Sequence, residues 1–268
     1  MKLCWLHPTT RTEALEPLWA KLEASIRPIL RPDTQVEFRF MQRSGNFTRS
    51  LYAEHLNSVH MIEAALQAEA DGFDGIFFAC WNDALWEARE VLSNPVASVG
   101  EQSMLAALAM GRRFAVVTVS EKTATAIEMD LFAYGLRDRA IHRPVRAIAP
   151  ESDAGLLCQS IDDPRTGFIP RFEEAARSCI ADGAEVILVG CGYYGPLLRS
   201  VGYREVSGTG VPVLDSSAIG MKYLEAMTDI ALTCGYVKST HHTFRPPARE
   251  TLHKSRHSLG LICEGAAT

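Results

Sequence analysis

The stretch DGAEVILVGCGYY, residues 182–194, is an apolar run that ends on a cysteine and then on a glycine. It echoes DGFDGIFFACWND, residues 71–83, at an offset of 111 positions, and Cys80 falls on Cys191. The same offset lays Leu3–Leu6 on Phe114–Val117, His7 on Thr118 and Thr9 on Ser120. Farther along, Pro95-Val96 matches Pro212-Val213 and Met104 matches Met221, so the second half carries a loop six residues longer. Each match is weak alone. Their common order indicates two copies of one supersecondary unit.

Each half alternates short apolar strands with helices. In the first, KLCWL, QVEFRFM, GIFFA and PVASV read as strands. Residues 12–30, 56–70, 83–92 and 101–110 read as helices. In the second, RFAVVTV, VRAIA, EVILVG and VPVLD read as strands, and residues 122–134, 172–181 and 217–232 as helices. Apolar runs of four to seven residues without alternation belong to strands buried on both faces, as in parallel sheets. Met61, Ala64, Ala65 and Ala68 share one helical face. The expected fold is α/β, with two pseudo-symmetric Rossmann-like lobes, each a parallel sheet flanked by helices, and an active site in the cleft between them.

Bulk properties narrow the functions. The chain has 268 residues, a net charge of −5 and no long basic run, which argues against nucleic acid as a partner. No apolar stretch is long enough to cross a bilayer, and the N-terminus lacks the apolar core of a secretory signal. The expected setting is cytoplasmic, with no membrane partner. Seven widely spaced cysteines, none in a CxxC pair, fit reduced thiols better than disulfides or zinc. The tail from Lys238 onward holds His241, His242, His253 and His257 without metal-ligand spacing, and reads as solvated. No metal is expected there.

Ligands of open parallel α/β sheets bind beyond the carboxyl ends of the strands. Cys80 and Cys191 stand there, each close before a helix. A helix N-terminus lowers a thiol pKa and raises its reactivity. Read singly, either cysteine is a small buried hydrophobe. Read as a symmetric pair across a cleft, they suit proton removal from one face of a carbon acid and proton return to the other. That chemistry inverts a stereocentre without a cofactor. The resulting carbanion needs donors. Candidates are the backbone N–H groups of Trp81, Asn82, Gly192 and Tyr193, the hydroxyls of Thr118 and Ser120, and the Asn82 side chain. His7, at the end of the first strand, and Asn46, in the polar loop SGNFTRS (44–50), complete the candidate substrate contacts.

The segments ACWND, PVASVGEQS, RFAVVTVS, VILVGCGYYG and VPVLDSSAIGMKYLE resemble the aspartate/glutamate/hydantoin racemase superfamily, and its hydantoin racemase branch in particular. The resemblance covers residues 1 to about 235. It implies two Rossmann-like lobes with substrate between them, cofactor-independent racemisation or epimerisation, and Cys80 and Cys191 as the two acid/base residues. It also implies a homo-oligomer, and a first lobe (1–100) completed by residues 215–235. A second lobe (101–214) and a C-terminal extension (236–268) follow. The expected substrate is a small molecule, a 5-substituted hydantoin or an amino-acid derivative.

The chain departs from the family pattern at His7-Pro8-Thr9, at Trp81, where a small residue is expected, and at the aromatic Tyr193-Tyr194. Trp81 and the tyrosines suit a pocket for a side chain or ring. Two alternatives on the same fold are a maleate-type cis–trans isomerase and a related decarboxylase. The decarboxylases keep only the second cysteine, so Cys80 counts against them. A two-lobed binding protein without chemistry is a third alternative, and it has no need of symmetric thiols.

Overall fold

The computed structural model describes residues 1–45, 49–81 and 84–262. The first sheet contains β1 (Lys2–His7), β2 (Gln35–Phe40), β3 (Gly75–Phe78) and β4 (Val96–Ser98) in the order β2-β1-β3-β4. The second contains β5 (Phe114–Thr118), β6 (Ala140–Ala147), β7 (Val186–Gly190) and β8 (Val213–Leu214) in the order β6-β5-β7-β8. Every pairing within the two sheets is parallel. The topology is therefore the same in both halves. The repeat offset is kept too, since β1 and β5 end on His7 and Thr118.

The helices among the described residues are α1 (Glu16–Ile26), α2 (Leu51–Ala70), α3 (Leu85–Val91), α4 (Gly100–Ala107), α5 (Glu121–Ala133), α6 (Ala154–Asp162), α7 (Phe168–Ala181), α8 (Tyr194–Ser200), α9 (Ser216–Cys234) and α10 (Arg249–Ser258). Three of them, α6, α8 and α10, are not expected from the apolar periodicity. Asp153 begins α6 by accepting the Leu156 N–H at 2.7 Å, a side-chain cap that is legible in the sequence. The helix α2 starts five residues earlier than expected. Its first turns expose Leu51, Tyr52 and Leu56, which breaks the amphipathic pattern, while Ser50 caps the true start. The strand β6 begins five residues before the expected VRAIA. Its pairing shifts register between Ala140 and Val145, and this edge strand accommodates Pro144 there.

Burial on both faces follows from the apolar runs. In β1, Leu3 and Trp5 enter one apolar cluster and Cys4 and Leu6 another. In β5, Phe114 and Val116 share the cluster of Leu3 and Trp5, whereas Ala115 and Val117 pack with Leu18, Trp19 and Leu22 of α1. The first cluster thus spans both sheets, and α1 covers the second sheet although it follows β1. Successive strand residues face opposite sides, so each sheet needs cover on two faces.

The helix α9 ties the halves together. Its body packs on β3, β4 and α4. Gly220 of α9 is pressed against Phe77 and the Ser98 carbonyl, with no room for a Cβ. At its start, Asp215 accepts the N–H groups of Ser217 and Ala218, both at 3.1 Å, and takes the Arg199 guanidinium at 2.7 Å. Ser217 donates to the Gly192 carbonyl at 2.9 Å. The tail returns to the first half, where Arg256 of α10 forms a two-pronged ion pair with Glu63 of α2 at 2.7–3.0 Å. The tail is therefore docked, and not simply solvated as its composition suggests.

The halves meet tightly at Gly192. A Cβ there would lie 2.4 Å from the Ala79 carbonyl oxygen, a backbone atom that has no side-chain freedom to move aside. Gly192→Ala is expected to destabilise the fold by about 1–3 kcal/mol, the usual cost of overpacking, measured by denaturant unfolding.

His7 is fully buried. Its ring stacks on Phe40 at 4.3 Å and lies 4.8 Å from Trp19, and its Nδ1 accepts from the Trp5 indole N–H at 3.4 Å. Burial, with a smaller push from Arg11, lowers its pKa to about 3. The unfolded chain therefore binds this proton more readily than the native state. Stability is expected to fall as pH drops from about 6.5 towards 3, by up to about 1.4 kcal/mol for each pH unit. In urea titrations across that range, His7→Asn should flatten the dependence.

Candidate active site

The turns after β3 and β7 meet at one cavity of about 150 Å³. Its wall includes Ala79, Cys80 and Trp81 from the first turn, and Gly190, Cys191, Gly192, Tyr193 and Tyr194 from the second. Pro8 follows β1, and Val119 follows β5 at the equivalent place. Both cysteines are half-buried on this wall, and neither is in a disulfide. The two strand ends bring their cysteines to one space because the sheets share a core and the turns touch through Gly192.

The Cys191 thiol is pushed up from its ordinary pKa by burial. The backbone N–H groups of Tyr194 and Tyr193 and the charge of Arg49 oppose that shift. The position before a helix suggests a net depression instead. The donors are in place, but removal from water outweighs them. The turn is held firmly. Tyr194 stacks on Phe168 at 3.6 Å, and its hydroxyl and that of Ser152 are 2.7 Å apart. Burial raises the Tyr194 phenol to about 12, so it remains neutral.

Of the residues singled out in the sequence, Cys80, Trp81, Cys191, Gly192 and Tyr193 lie together on the cavity wall. Trp81 is only 1% exposed and lies against Gly100, where a Cβ would come within 3.0 Å of the indole nitrogen. Three candidates do not reach the wall. His7 is enclosed by aromatic rings. Thr118 is buried and donates to the Gly190 carbonyl at 2.7 Å, so its hydroxyl joins two strands. Ser120 caps α5 by accepting the Thr123 N–H at 3.2 Å. Asn46 and Asn82 lie outside the described residues. Among the described residues no cluster of metal-ligating side chains occurs, and no helix is long and apolar enough to cross a membrane.

The wall also contains residues that sequence reasoning did not select. Arg49 comes from just before α2, Glu54 from its first turn, Thr123 from α5, Ser152 from the segment before α6, and Leu157 from α6. Arg49 donates to the Ser152 carbonyl and so reaches from one half to the other. Glu54 is half-buried, and its pKa is raised to about 7 by burial, against a smaller pull from Lys122. The Ser50 cap was the available signal, because it places Glu54 inside a helix rather than in a loop.

The arrangement offers two thiols, a guanidinium and a carboxyl in a small, largely apolar space. Comparison with known proteins gives it a family. Residues 13–224 match the family described as Asp/Glu/Hydantoin racemase. The chain is 29% identical over 240 residues to a hydantoin racemase of Pseudomonas sp. (strain NS671), covering 89% of this chain and 90% of that protein. It is 32% identical over 188 residues to a hydantoin racemase of Rhizobium meliloti, covering 70% and 72%. The fold is similar to that of an allantoin racemase from Klebsiella pneumoniae, with a TM-score of 0.77, 22% identity, and 97% and 98% of the two chains covered. The chain belongs to the Asp/Glu/hydantoin racemase family and is an isomerase of the racemase class.

Proposed function

We propose that the protein racemises or epimerises a carbon acid next to a carbonyl, without a cofactor, and that its substrate is a 5-substituted hydantoin or a closely related amino-acid derivative. The observation that carries this reading is the placement of Cys80 and Cys191 on one cavity wall, from equivalent turns of two repeated halves. The similarity to two hydantoin racemases supports the substrate class.

In one direction the Cys80 thiolate takes the proton from the stereocentre. The C–H bond breaks, an S–H bond forms, and the electron pair moves into the adjacent carbonyl as an enolate. The Cys191 thiol then protonates the carbon from the opposite face and becomes the thiolate. In the other direction the roles exchange. Protons and charge balance over the cycle, and no electron acceptor is needed. The donors that oppose the burial of Cys191 favour its anionic form when it acts as base, and Arg49 supplies positive charge to the same space. Trp81, Gly192 and Tyr193 are read as substrate contacts in this scheme.

The same reading divides the chain into a first lobe of residues 1–100 completed by 215–235, a second lobe of 101–214, and an extension of 236–268. The packing of α9 on β3 and β4 supports that division. A mechanism that depends on two free thiols suits the reducing cytoplasm. The family resemblance supports a homo-oligomer.

Cys80→Ser and Cys191→Ser are each expected to reduce racemisation about a thousandfold or more, followed by polarimetry on each enantiomer. In deuterium oxide the wild type should wash one deuteron into the stereocentre per inversion. A single variant retains exchange with at most one enantiomer. Normal racemisation by both variants would end the two-thiol mechanism. A maleate adduct on Cys80, seen by mass spectrometry together with maleate turnover, would favour the cis–trans isomerase instead.

A further inference from the structure

Glu54 is the acidic side chain of the cavity wall among the described residues, in the first turn of α2. Its carboxyl group makes no hydrogen bond or ion pair among the described residues, and the groups acting on it are burial and the distant charge of Lys122 on α5. The other ionisable groups of the wall among the described residues are Arg49, Cys80, Cys191 and the tyrosines Tyr193 and Tyr194. Arg49 is engaged with the Ser152 carbonyl. A half-buried carboxyl group with no hydrogen bond or ion pair among the described residues, facing a cavity lined by both cysteines, has acceptor capacity for a ligand.

We propose that Glu54 selects the substrate class: its carboxylate accepts an N–H group of a neutral ureide ring and repels any substrate that brings a carboxylate of its own. This rests on the racemase reading above and deepens it. A free amino acid or a dicarboxylate must place a negative charge in the same small space, where low polarity strengthens like-charge repulsion. A hydantoin brings carbonyls and N–H donors and no fixed charge. An N–H group meets an acceptor at Glu54, and a carbonyl is left to the donors near Cys191. The raised pKa of Glu54 adds a pH signature. The carboxylate forms as pH rises through about 7, so ring binding should strengthen and carboxylate binding should weaken across that range.

The test compares the wild type with Glu54→Gln and Glu54→Asp, using 5-benzylhydantoin as substrate and malonate as competing ligand. Glu54→Gln is expected to raise KM about tenfold or more, the scale of a lost charge-assisted hydrogen bond, with kcat changed far less. It is also expected to tighten malonate inhibition about tenfold and to remove the change in KM between about pH 6 and 8. Glu54→Asp keeps the charge and should keep the wild-type preference for the ring over malonate. A KM and a malonate inhibition constant within twofold of wild type in Glu54→Gln would overturn the assignment. If the wild type does not racemise hydantoins, the racemase-of-hydantoin reading fails instead. Malonate binding to wild type and Glu54→Gln, read by calorimetry, then judges the charge exclusion by itself: equal affinities would overturn it, and tighter binding to the variant would support it.

Discussion

The site depends on a backbone-to-backbone contact. Gly192 lies so close to the Ala79 carbonyl that no side chain fits between them. Ala79 precedes Cys80 and Gly192 follows Cys191, so this contact sets how far apart the two thiols can be. The Ser217 hydroxyl holds the Gly192 carbonyl from the start of α9, and the body of α9 packs on the first sheet. One helix therefore links both partners of the contact. Buried Asp215, with Arg199 and two backbone N–H groups, fixes that helix start. The proton transfer proposed above requires donor and acceptor to be closely aligned, and a close contact between the two turns supports that alignment.

The electrostatics of the cavity follow from its low polarity. Burial raises Cys191, Tyr194 and Glu54 together, each against specific opposing groups. In the proposed reaction, which needs one acid and one base at a time, a Cys191 thiol raised by burial suits the acid role. If both ionised, the pair would have no proton to return. Removal from water restrains the ionisation of Cys191, while the N–H groups of Tyr193 and Tyr194 keep its thiolate within reach. The same low polarity underlies the selectivity proposed for Glu54, because it strengthens the repulsion between like charges.

The candidate residues that the structure keeps off the cavity wall have a common cause. His7, Thr118 and Ser120 sit at strand ends, where a ligand is expected, and their residue types suit binding. A strand end in this fold is also where two sheets and their covering helices crowd together. Trp5, Trp19 and Phe40 close over His7, the Gly190 carbonyl takes the Thr118 hydroxyl, and α5 takes Ser120 as its cap. Position along the strand was readable, but which side of the turn faced the cavity was not. Arg49, Glu54 and Ser152 escape a reading of strand ends for the converse reason. They come from helix starts and loops that enter the cavity through packing between the halves.

The sequence by itself determined the two-fold repeat, the parallel strands buried on both faces and the equivalence of Cys80 and Cys191. These rest on local periodicity and on the order of matching segments, which survive without knowledge of any contact. Tertiary structure decided that the two thiols share one cavity, that Glu54 and Arg49 complete its wall, and that α1 covers the second sheet. Those outcomes depend on contacts between residues far apart in the chain. Periodicity constrains which face of an element is buried; only packing chooses the partner it is buried against.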